Sequence, residues 1–133
     1  MWVEISWKEV HPVATHKDVH EFAILWAKKY RNPCTKEHDV EAGFGDECFS
    51  LGFIMDTGNS IQAAFPLDNI LYSYEAFENI IEQVQDVNLL CSAIFSKWRY
   101  ITHWTNYEQL LSAKNRQWFI LAFERLAKLT AED

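Results

Sequence analysis

Hydrophobic and polar positions fall into two rhythms along the chain. Val3, Ile5 and Trp7 alternate with Glu4, Ser6 and Lys8, the period of a half-buried strand, which is predicted over residues 2–10. Thr15 with Asp18 three residues on forms a capping box, and Val19, Phe22, Ala23, Trp26 and Tyr30 follow at helical spacing. This helix should stop before Pro33, whose ring pushes Asn32 away from α geometry. Residues 33–46, with Gly43 and Gly45, read as a loop. Phe49, Leu51, Phe53 and Met55 then alternate with Cys48, Ser50, Gly52 and Ile54. Past Asp56-Thr57-Gly58-Asn59 the same rhythm resumes in Ile61, Ala63 and Phe65, which predicts a central β-hairpin ended by Pro66.

After Ser73, a candidate N-cap, the period lengthens. Phe77, Ile80, Ile81, Val84 and Val87 form one stripe of an acidic amphipathic helix. Asn88 is placed to cap another helix through Leu90, Ala93, Ile94, Trp98 and Ile101, while the alternation of Trp98, Tyr100, Thr102 and Trp104 leaves a strand open there. Thr105 and Glu108 make a second capping box. Trp118, Phe119, Leu121, Ala122, Phe123, Leu126 and Leu129 mark a core helix. The expected fold is therefore α+β: a small antiparallel sheet, from the N-terminal strand and the hairpin, against three to five helices, with the C-terminal half mainly helical.

Composition bounds the rest. The chain has 133 residues, 49% of them hydrophobic, which suits a single globular domain, residues 1–133, with its own core. Three cysteines, an odd number without CxxC spacing, argue against a disulfide framework and for a reducing compartment, with the cytoplasm as the expected location. The start lacks a basic, then apolar, leader, and the apolar runs are too short to span a bilayer.

Charge changes the picture more. All twelve Lys and Arg lie in residues 8–36 or 97–128, so the sixty residues Glu37–Ser96 hold eleven acids and no base. That block carries −11, and the remainder carries +4. Such asymmetry bears on partners rather than on fold. Lys97, Arg99 and Arg116 beside aromatics have the composition of a single-strand nucleic-acid site, but the acidic block would repel a polyanion, so nucleic acid is not the expected partner.

The string Phe53-Ile54-Met55-Asp56-Thr57-Gly58-Asn59-Ser60 resembles the active-site motif of aspartic proteases, and that resemblance would make Asp56 a catalytic acid shared across a homodimer. The same residues also suit a hairpin turn, in which Asp accepts turn hydrogen bonds and Gly or Asn supplies positive φ. A helical second half departs from the nearly all-β architecture of those enzymes. His16 and His20, four apart, would share a helix face, and Cys34 and His38 would complete a set of zinc ligands. His38-Asp39 also resembles the His-Asp doublet of a metal-dependent phosphohydrolase family. With Asp39 or Glu41 these residues give the alternative expectation, a metal-dependent hydrolase. No serine elbow, phosphate loop or dinucleotide fingerprint occurs.

The leading expectation is a non-enzymatic acidic module, similar in kind to inhibitors or immunity factors, without a cofactor. Glu37, Asp39, Glu41, Asp46 and Glu47 would meet a basic protein partner, with Phe44 or Trp104 as aromatic anchor.

Overall fold

The computed structural model describes residues 15–52 and 77–131. They form six α-helices: α1 His16–Arg31, α2 Glu37–Glu41, α3 Phe44–Ser50, α4 Phe77–Gln83, α5 Val87–Trp104 and α6 Ala113–Thr130. A 3₁₀ helix, Tyr107–Leu111, links the last two. No strand occurs among the described residues. This corrects the α+β expectation to a helical one. The strand over residues 2–10 and the hairpin beyond Gly52, with Asp56, lie outside the described residues, and the hairpin's first residues, Cys48 to Ser50, are the end of α3.

The correction has its cause in a turn at Gly43 and in packing. Residues 33–46 hold α2 and the start of α3 rather than a loop, with Gly43 as the break between the two helices. It takes φ +79° just after Ala42, the C-cap of α2, a left-handed conformation that glycine adopts without the Cβ penalty. Across it Val40, Phe44 and Cys48 recur every four residues, and all three are fully buried. Burial of these three in the common core prevails over the alternation that begins at Cys48.

The first helix follows its sequence signals. Thr15 Oγ1 accepts from the Asp18 amide at 3.3 Å, Asp18 accepts in return from the Thr15 amide, and Asn32 is the C-cap. Further along, boundaries shift. α4 ends at Gln83 instead of running on to Val87, since Asp86 caps α5 by accepting from the Leu89 amide at 2.9 Å. Asn88 thus lies inside α5, which continues as helix to Trp104. Thr105 closes that helix, donating to the Ile101 carbonyl at 2.6 Å, and does not start the next one. Ser112 caps α6.

α1 lies along α6, the most extensive packing among the described residues. Tyr30 stacks on Phe119 with centroids 4.8 Å apart, and Phe22 meets Phe123 edge-on at 5.8 Å. α5 packs beside α6 and supplies Leu89, Leu90, Ile94 and Phe95 to the same core. Two side chains tie in the shorter elements. Trp98 Nε1 donates to the Val40 carbonyl at 3.1 Å, and Arg125 Nε to the Val84 carbonyl at 2.9 Å. No helix among the described residues is long and apolar enough to cross a membrane.

Candidate functional site

The site is built on α1 and α3. α1 buries Val19, Phe22, Ala23, Trp26 and Tyr30, the stripe anticipated from the sequence, together with Ala27, and leaves Asp18, Glu21 and Leu25 to line a groove. α3 buries Phe44 and Cys48 and turns Glu47 and Ser50, with Leu51 just beyond its end, towards the same groove. Trp26 fixes the two helices together: its ring meets Phe44 edge-on at 4.8 Å, and its Nε1 donates to Glu47 Oε2 at 3.3 Å. Between them runs an open groove of about 340 Å³, lined by Asp18, Glu21, Phe22, Leu25, Glu47, Ser50 and Leu51. This is the low end of the roughly 300–1,000 Å³ usual for small-molecule pockets, room for one or two large side chains.

Its chemistry is simple. Three carboxylates, Asp18, Glu21 and Glu47, surround an apolar floor, and no Lys or Arg is in the lining. Leu25 is 45% exposed, a large apolar side chain held in water beside two acids of its own helix.

Of the acids singled out from the sequence, Glu47 alone is in this lining. Glu37, Asp39 and Asp46 are exposed, and Glu41 and Glu47 half-buried. Asp39 accepts from the Lys36 amide at 3.0 Å, at the start of α2. Phe44 is fully buried, so it belongs to the core and is removed as an anchor for a partner. Trp104 ends α5, and its side chain lies outside the described residues.

The proposed zinc ligands take separate roles. His20 Nδ1 lies 2.8 Å from the Ala127 carbonyl and 3.2 Å from Thr130 Oγ1. A carbonyl only accepts, so this nitrogen carries the proton, and His20 caps the C-terminus of α6. His16, Cys34 and His38 are exposed. Among the described residues no three His, Cys, Asp or Glu gather to hold a metal.

Nor do the buried polar groups form a nucleophilic site. Burial pushes the Cys48 and Cys91 thiols and the Tyr30 hydroxyl well above their ordinary values, so none of the three supplies an anion at neutral pH. Of the cations weighed for nucleic acid, Lys97 is buried with Nζ 5.4 Å from the Trp118 ring centroid. Trp118 is itself 1% exposed and offers no face to a base.

Compared with protein families, curated proteins and solved structures, the chain matches none. Sequence reading overlooked most of the groove. In the sequence Asp18 stands out only as half of a capping box, and nothing in the local pattern singles out Glu21. The usable signal was Leu25, a large apolar residue off the buried stripe of α1.

Proposed function

We propose that this protein is a non-enzymatic interaction module whose acidic face docks onto a basic protein. The observation that carries the reading is the set of five carboxylates on two consecutive short helices, Glu37, Asp39 and Glu41 on α2 with Asp46 and Glu47 on α3. None of the five is in an ion pair among the described residues, where the pair formed is Arg31 with Glu124. Unanswered charge of one sign speeds encounter with a partner of the other sign and rejects partners of the same sign. Three free thiols, with Cys34 exposed, support a reducing, cytoplasmic setting.

The test is capture from a native lysate at low and at high salt. A stoichiometric basic partner retained at low salt and released at high salt is the expected result, since screening shortens the reach of exposed charge. No partner at either salt, or one whose retention ignores salt, refutes the reading.

A further inference from the structure

We infer that the groove between α1 and α3 is the seat of docking, and that its ligand is an amphipathic helix carrying large apolar side chains between Lys or Arg. This rests on the basic-partner reading and adds a location and a shape to it.

Four observations converge. First, the floor is apolar, with Phe22, Leu25 and Leu51, and the walls are acidic, with Asp18, Glu21 and Glu47. A ligand that fills the one and neutralises the other needs both kinds of side chain. Second, the lining of α1 runs from Asp18 to Leu25, about 10 Å at 1.5 Å per residue. That is two helical turns, the length over which a bound helix presents residues i, i+3, i+4 and i+7, one or two of which the groove has room to seat. Third, both walls are helices, so no strand edge is on offer there and side-chain anchoring is the available mode. Fourth, the rest of the chain complements the groove poorly. Residues 53–76 carry three acids and no Lys or Arg, and residues 1–14 carry one Lys against two Glu. Charge complementarity therefore favours a partner over the chain's own segments.

Within this arrangement the two sets of acids have different tasks. Asp18, Glu21 and Glu47 border the seat and hold the bound ligand, which sets the rate of dissociation. Glu37 and Asp39 on α2 are outside the lining and act at a distance, which sets the rate of association.

The test titrates the full chain with a Leu/Lys/Ala helical peptide of about twelve to fifteen residues, its Leu at i, i+3, i+4 and i+7. Calorimetry gives the stoichiometry and surface plasmon resonance the rates. One-to-one binding is expected, weakened roughly tenfold or more when the peptide's Leu become Ala or its Lys become Glu. Leu25→Glu and Glu21→Lys should each cost about the same factor, and because both residues are exposed their circular dichroism should match the native chain. The pair Glu37→Lys with Asp39→Asn, the asparagine keeping the acceptor for the Lys36 amide, should slow association several-fold and leave dissociation unchanged.

Binding that survives Leu25→Glu and Glu21→Lys but is abolished by the α2 substitutions overturns the groove and leaves the basic-partner reading standing. Absence of peptide binding also overturns the groove, while the lysate capture judges the broader reading separately. A monomer–dimer equilibrium abolished by Leu25→Glu, without peptide binding, overturns it in favour of a second copy of this chain.

Discussion

Lys97 is the residue whose environment most opposes its chemistry. It sits on α5 at 2% exposure, and burial lowers its pKa from 10.5 to about 8. A base with a lowered folded pKa destabilises the fold while it is charged. Below pH 8 that penalty is complete. Between pH 8 and 10.5 the unfolded chain holds a proton that the folded chain has released, so this residue's contribution rises with pH and levels off above 10.5. Lys97→Met keeps the length of the side chain and a contact for Trp118 without the charge. The variant should be more stable than the native chain at pH 7, by a margin that shrinks at pH 10. Urea denaturation of both chains at the two pH values gives that difference. The thiols of Cys48 and Cys91 and the Tyr30 hydroxyl act in the opposite direction above pH 9, but they are common to both chains and cancel. A margin equal at both pH values contradicts the assignment.

Residue identity was legible where one side chain meets one local rule. Thr15 and Asp18 form the anticipated capping box. It was illegible where the partner comes from far along the chain. Nothing near His20 indicates that its ring caps α6 through Ala127 and Thr130, more than a hundred residues on. The proximity of Cys34 and His38 in sequence suggested a metal set that the fold does not gather among the described residues.

Helix against helix, stability concentrates where α1 meets α6. Phe119 stacks on Tyr30, meets Trp118 edge-on at 5.1 Å and is fully buried. Phe119→Ala should cost about 3–5 kcal/mol, a large share of the roughly 5–15 kcal/mol that holds a domain folded. Glu124→Gln, on the same helix, removes the ion pair with Arg31, but both side chains are about half exposed, and the expected cost is about 0–1 kcal/mol. Denaturant midpoints of the two variants rank the contributions. A larger loss from Glu124→Gln would show that surface charge, not aromatic packing, joins these helices.

The same distinction explains which elements the sequence revealed. α1 and α6 are long, so their apolar stripes repeat over several turns and identify them as helices. α2 and α3 span five and seven residues, too few turns for a period to stand out beside two glycines and an overlapping alternation. Their helical state follows from packing: Val40 and Phe44 enter the core formed with α1 and α5, through Trp26 and Trp98. Tertiary burial, which a local window does not contain, decided between strand and helix at Cys48.

For the molecule as a whole, the −11 of residues 37–96 was legible from the sequence as a number and became informative only as a place. The fold turns Val40, Phe44 and Cys48 inward and leaves Glu37, Asp39 and Asp46 exposed and Glu41 and Glu47 half-buried. It also brings Glu47 beside Asp18 and Glu21 of α1 around exposed Leu25, a juxtaposition that spans nearly thirty residues of chain and has no local signature. The central claim is that a basic amphipathic helix is held there. The most direct measurement is a two-dimensional amide NMR titration of the isotopically labelled chain with the Leu/Lys/Ala peptide. Docking in the groove predicts shift changes centred on residues 18–25 and 47–51, with smaller effects across α2, all reduced at high salt. Changes centred on α2 or spread evenly over the surface, or no changes at all, would contradict it.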